Sequence, residues 1–217
     1  MWVTPDGENR IAIVPGANGT VSAADAERAV ETARTASVLL LQNEIPTEAA
    51  RVLLDGLDTH STETDPTDDG PLVVLDPAPA TGARPLVDHP RVDVLVPNET
   101  EFETLRSSLE DARRRGATVV RTDGPGGAAA FDDGDESVEN PLDTPSFLVE
   151  TPEASVVDTT GAGDAFVGYL AAELADGGTL RAAVERGVRA GTRACEREGA
   201  MTAPRSEELR GRWSDEN

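Results

Sequence analysis

Asp158-Thr159-Thr160-Gly161-Ala162-Gly163-Asp164, running into Ala165-Phe166-Val167-Gly168-Tyr169-Leu170, is the stretch that decides the fold. Phe166, Leu170 and Leu174 recur at helical spacing, so they share one face of a helix. Gly177-Gly178 stops it. The turn before that helix is built from residues with little or no side chain. At Gly161, Ala162 and Gly163 the backbone amides can approach a ligand, and the first N–H groups of a helix, with its dipole, stabilise an anion. Asp164 in the first turn is placed to accept a proton from a hydroxyl attacking beside that anion. The same residues would also make a plain Gly-rich turn, with Asp164 complementing the helix dipole.

Outward from this turn, short apolar runs alternate with helical patterns. Arg10–Val14, Ser37–Leu41, Pro71–Leu75, Val92–Val96, Thr118–Val120 and Ala128–Phe131 read as strands, several of them apolar throughout, as strands covered on both faces are. Ser22 caps a helix reaching Thr35. A second helix spans Glu99–Arg115, its three arginines suited to the negative end of the dipole, with Gly116 as its stop. Asp58–Gly70 and Asp132–Pro145 read as polar, turn-rich loops. Strands alternating with helices predict an α/β fold, a three-layer αβα sandwich with a mostly parallel sheet, over residues 1–217 as a single domain.

Two further stretches carry candidate chemistry. Pro97-Asn98-Glu99-Thr100-Glu101 follows a strand; Asn98 and Glu101, one turn apart, can share a hydrated hard cation, or form an ordinary capping box. Val119-Val120-Arg121-Thr122-Asp123-Gly124-Pro125-Gly126-Gly127 offers a hydroxyl and a backbone that a phosphate or ribose can approach, or simply a turn before the next strand. It lacks the Lys-Ser/Thr ending of a Walker loop. Gly16-Ala17-Asn18-Gly19 does not supply the Gly-x-Gly-x-x-Gly of a dinucleotide-binding sheet.

Asp158–Asp164 resembles the C-terminal signature of the ribokinase-like (PfkB) carbohydrate kinases, and Asn98–Glu101 their Asn-x-x-Glu element. The resemblance implies ATP-dependent phosphorylation of a sugar or sugar-like primary alcohol, with Asp164 as base and the Gly161, Ala162 and Gly163 amides steadying developing charge. It implies Mg²⁺ held through water near Asn98 and Glu101, and ATP against Asn98, Thr122, Asp123, Gly124, Pro125, Gly126, Gly127, Gly163 and Val188. Val188 stands where the family often has Asn or His beside adenine, which removes a polar contact. Leu40-Leu41-Gln42-Asn43-Glu44 is similar to the family strand whose terminal Glu contacts the sugar, so Glu44 joins Asp164 as a substrate residue. Leu75-Asp76-Pro77-Ala78-Pro79-Ala80 is similar to the family's Asn-Pro-Ala-Pro segment. Arg197-Glu198-Gly199-Ala200 is similar to the turn closing a monovalent-cation loop, which puts Asp158, Thr160, Ala194, Arg197, Gly199 and Ala203 around K⁺.

Family members begin with a Gly-Gly…Asn segment and a small β-sheet lid, and this sequence resembles the family from a point beyond them. The expectation is a half-formed sugar site, with nucleotide binding as its residual activity. The alternative is a non-catalytic nucleotide-binding or subunit-interaction remnant. A homodimer is within the resemblance.

The 41 acidic residues outnumber the 19 basic ones, giving a net charge of −22. All the basic residues are Arg. Such a surface repels nucleic acid and anionic lipid, and the acids are spread along the chain, as on a protein kept hydrated in a high-salt cytoplasm. One cysteine, Cys195, excludes an internal disulfide and fits a reducing, cytoplasmic setting. No run approaches the length of a membrane helix, and the first residues do not read as a signal peptide.

Overall fold

A computed structural model describes residues 2–3, 9–10, 14–58, 70–132 and 140–209. The chain forms two compact units, one of residues 15–123 and 129–148, the other of residues 1–14, 124–128 and 149–217. Two short strands, β1 (Trp2–Val3) and β2 (Asn9–Arg10), pair antiparallel. The strand expected at Arg10–Val14 falls mostly outside the described residues. Val14, which is described, is exposed and not in a strand.

The larger unit is organised by a sheet of six strands in chain order: β3 (Val38–Gln42), β4 (Leu72–Asp76), β5 (Val94–Leu95), β6 (Thr118–Thr122), β7 (Ala128–Phe131) and β8 (Phe147–Val149). β3 through β6 pair parallel, Leu41 opposite Leu75, Leu75 opposite Leu95, and Leu95 opposite Val119. The α/β class with a mostly parallel sheet is therefore as expected. β5 is shorter than the apolar run Val92–Val96 suggested, though Val96 still donates to Leu75 O at 2.9 Å.

Helices α1 (Ala23–Arg34), α2 (Thr47–Asp58), α3 (Arg84–Val87) and α4 (Glu99–Arg114) connect the strands. Ser22 caps α1 reciprocally with Asp25, as its position before the apolar pattern predicted. Along the strands Val73, Leu75, Leu95, Val119, Ala129 and Phe131 alternate to one face, where they share a core with Leu54, Leu86, Phe102 and Leu109 of the helices. Val74 and Val120, which alternate with them, are fully buried as well. This is why these strands read as continuous apolar runs.

The arginines closing α4 do more than complement a dipole. Arg113 is buried; it donates to Ala117 O at 3.4 Å and to Asp132 O. Arg115 reaches Val87 O at 3.2 Å. They satisfy carbonyls left open at the end of α3, in the turn after α4 and just past β7.

The smaller unit rests on two packed helices, α5 (Ala162–Ala175) and α6 (Leu180–Cys195), followed by α7 (Ser206–Leu209). Phe166 and Leu170 are buried on the expected face. Between β8 and α5 the chain forms no strand. Val156 and Val157 are 65% and 61% exposed, and Val157 N donates instead to Cys195 O at 2.8 Å. An apolar pair of two residues reads equally as strand or loop; here a long-range contact decides. The predicted loop at Asp58–Gly70 lies almost wholly outside the described residues, as does the centre of Asp132–Pro145.

Candidate active site

The smaller unit holds the start of α5. Gly161 is its N-cap, at φ 77 and ψ 4. A Cβ there would also lie 2.6 Å from Ala200 O, so both conformation and space require glycine. Two residues on, Gly163 has nothing within 4 Å of where a Cβ would stand. Ala162 N–H donates to Thr159 O at 3.3 Å and is already engaged. Asp164 is in the first turn, on the exposed side. An open helix start with a carboxylate beside it can accept an anion and take a proton from a hydroxyl.

Asp158 holds this turn in place. One of its carboxylate oxygens accepts from Thr160 N at 2.9 Å and the other from Gly199 N at 3.0 Å. A hydrogen bond from the Thr160 side chain foremost, then those from the Thr160 and Gly199 backbone, keep its carboxyl below the usual carboxylate range. Asp158 thus ties the segment before α5 to the turn after α6, and brings Thr160, Gly161 and Gly199 together. Ala194 is buried at the end of α6, and its carbonyl accepts from Arg197 N at 3.3 Å. The Arg197 side chain pairs with Glu208, and Ala203 lies exposed in the loop that follows. Val188 is buried on α6, its carbonyl accepting from Thr192 Oγ1 at 2.7 Å. Gly124, Pro125 and Gly126 form a short 3₁₀ turn closed by Gly127 N to Gly124 O at 3.1 Å and tied by Thr151 Oγ1 to Gly124 O at 3.0 Å. Gly127 has φ 89, and a Cβ there would meet Val149 O at 1.9 Å.

The larger unit holds the second set at the ends of β3 to β6. Asn98 caps α4: Glu101 N donates to Asn98 Oδ1 at 2.9 Å, and Asn98 N to Glu101 Oε2 at 3.0 Å. The capping box is therefore real, yet it engages only one oxygen of a carboxylate that is 7% exposed. Burial pushes the Glu101 carboxyl above its ordinary range, and the charge of Asp76 adds to the effect. Asp76 closes β4, accepting from Gln42 Nε2 and Ala78 N, each at 3.1 Å. Thr122 stands next to Asn98 across a parallel bridge, with Thr122 N donating to Pro97 O at 3.0 Å. Glu44 lies exposed past the end of β3, its carboxylate 3.5 Å from Asn18 Nδ2.

Asp76 beside Glu101 was not singled out from the sequence as a site residue. Its position at a strand end, before Pro77, was the available signal. Among the described residues no group of three or more His, Cys, Asp or Glu side chains is arranged to hold a metal ion directly.

A mostly parallel sheet in chain order, with helices between its strands, defines an α/β protein. Residues 1–207 match the model of the pfkB family carbohydrate kinases, and the chain belongs to that family. It is 34% identical to the ribokinase of Bacillus subtilis over 189 residues, which is 84% of this chain and 56% of that one. Among solved structures it is similar to the ribokinase of Thermotoga maritima, with a TM-score of 0.73 and 29% identity over 96% of this chain and 66% of that one. It is also similar to the Arabidopsis thaliana ribokinase complexed with ribose and ATP, with a TM-score of 0.68 and 26% identity over 95% of this chain and 65% of that one. The chain thus spans 56% to 66% of the length of these relatives.

Proposed function

We propose that the protein carrying these residues transfers the γ-phosphoryl group of ATP to a primary hydroxyl of a sugar or sugar-like compound. The observation that carries this reading is the start of α5: Asp164 in the first turn beside an unobstructed Gly163, in a member of this family. The hydroxyl oxygen forms the new bond to phosphorus, the bond to the β-phosphate oxygen breaks, and the hydroxyl proton passes to Asp164. Negative charge gathering on the transferred group is met by the Gly161 and Gly163 N–H groups and the helix dipole, the Ala162 N–H being engaged by Thr159 O. Thr122 and the Gly124–Gly127 turn take the nucleotide, Val188 offers the base an apolar surface, and Glu44 contacts the sugar. The Arabidopsis relative complexed with ribose and ATP favours a pentose as the acceptor.

Two cations belong to the reading. The Glu101 carboxylate, raised in pKa partly by the charge of Asp76 and one turn from Asn98, suits a hydrated Mg²⁺ contacted through water, and the small number of side-chain donors fits that indirect mode. When bound, Mg²⁺ neutralises the phosphates. The ionised Asp158, with carbonyl groups at Ala194, Arg197, Gly199 and Ala203 and the Thr160 backbone, suits K⁺ by charge and donor type. The net charge of −22 supports a cytoplasm of molar salt as the working environment.

The test is a phosphotransfer screen over pentoses, hexoses and nucleosides in molar KCl with MgATP. Nucleotide binding is the expected result, with sugar-dependent ADP release wherever the sugar site is complete enough to hold the acceptor in line. A folded protein that binds no nucleotide and releases no ADP with any acceptor would overturn the reading.

A further inference from the structure

Arg121 and Asp123 are two residues apart at the end of β6, so their side chains leave the strand on the same face while Thr122 leaves on the other. They are joined by a two-point fork: Arg121 Nε donates to Asp123 Oδ1 at 2.6 Å and Nη2 to Oδ2 at 2.8 Å. The guanidinium also lies 5.0 Å from the centre of the Phe102 ring. Phe102 is fully buried in the first turns of α4 and stacks on Phe131 at 5.8 Å. The hydrogen bonding to Asp123 first, and then the charges of Asp123, Glu99 and Glu103, raise the Arg121 pKa. Arg121 is therefore fastened at two sides: to the chain just beyond Thr122 and to the Phe102 ring of α4.

Asn98, the cap of α4, is the residue that bridges to Thr122. The backbone of Thr122 is thus held on one side by the Asn98 segment, and its flanking residues are clamped to the helix that Asn98 begins. A planar fork with two donors fixes angle as well as distance, which a single-point ammonium does not.

We propose that the Arg121–Asp123 fork is a positioning device for the nucleotide site, setting Thr122 in register with Asn98. It rests on the reading that Thr122 and Asn98 face ATP and its cation. Asp123, with both carboxylate oxygens engaged by Arg121, acts through the strand and does not itself hold the nucleotide.

Arg121→Lys keeps the charge near Phe102 and removes the fork; Asp123→Asn removes the carboxylate. Titration calorimetry with MgATP in molar KCl is run on the wild type first, since a folded wild type that binds no MgATP refutes the nucleotide site itself. With wild-type binding established, each variant should bind about tenfold more weakly, the usual scale for a group that orients a contacting one, while retaining a cooperative melt. In steady-state assays the KM for ATP should rise and the KM for the sugar should stay unchanged, a split that general loosening would not produce. Variant affinities within about twofold of wild type, or loss of the cooperative melt in both variants, would overturn the inference and leave the nucleotide site standing.

Discussion

Replacing Gly161 by Ala tests whether the turn before α5 is built as described. Gly161 has a positive φ of 77, and a side chain held in that left-handed region costs roughly 1–2 kcal/mol. The added methyl would stand 2.6 Å from Ala200 O, well inside contact. The carbonyl cannot easily withdraw, because the preceding Gly199 N is held by Asp158 at 3.0 Å. Forcing a methyl into such a space costs roughly 1–3 kcal/mol more. The sum, roughly 2–5 kcal/mol, corresponds to a fall in Tm of roughly 4–20 °C for a protein of this size. Gly163→Ala is the control: it lies within the helix, meets nothing within 4 Å, and should gain up to about 1 kcal/mol. Its methyl nonetheless enters the space assigned to the phosphate, so turnover should fall while Tm holds or rises. Thermal unfolding followed by circular dichroism reads both. A Gly161→Ala protein melting within about 2 °C of the wild type would refute the reasoning.

Glu101→Gln bears on the buried carboxylate. Its raised pKa means that the charged form costs stability once the pH exceeds the unfolded value of about 4.3, so this penalty is absent in acid and complete above the folded pKa. Gln can still accept from Asn98 N, so the variant should melt at or above the wild-type temperature at neutral pH and lose that advantage in acid, while Mg²⁺-dependent turnover drops. A neutral-pH melting temperature below wild type would contradict this account of Glu101. Asp158 has the opposite sign: its lowered pKa contributes stability above the unfolded value of about 3.9, lost as pH falls through the lower folded value. Asp158→Asn should therefore melt lower at neutral pH and approach the wild type in strong acid; parallel curves at every pH would count against it. Raising KCl from dilute to molar should raise Tm steeply by screening the net charge of −22, and a melt indifferent to salt would remove the halophilic reading.

The elements that sequence made plain are those written in adjacent residues. The Ser22 cap needs only Asp25 three positions on, and the Asn98 cap only Glu101. The strands β4 and β6 announced themselves by apolar runs with buried residues on both faces, and α5 by its glycines followed by Phe166 and Leu170. The strand β3 reads the same way in sequence, yet it stands at the end of the sheet order and only Leu41 of it is buried. What stayed hidden depends on partners distant in the chain. Asp158 could be placed in a motif, but its second oxygen is satisfied by Gly199, 41 residues away. Nothing local to Val157 tells that Cys195 O, on another element, takes its N–H. Asp76 becomes a neighbour of Glu101 only when β4 and β5 pair in parallel. Even the Arg121–Asp123 fork, local in sequence, could not be told from solvated charge without the Phe102 ring beneath it.

The central claim, that the start of α5 is the seat of phosphoryl transfer with Asp164 as its base, meets its most direct test in one paired measurement. Wild type and Asp164→Asn are compared for sugar-dependent ADP release and, by calorimetry, for MgATP affinity in molar KCl. The account predicts turnover lower by roughly 10²–10⁴-fold in the variant, with nucleotide affinity near wild type, because the carboxylate acts on the acceptor's proton and not on the nucleotide. Turnover by Asp164→Asn at a rate close to wild type would contradict it.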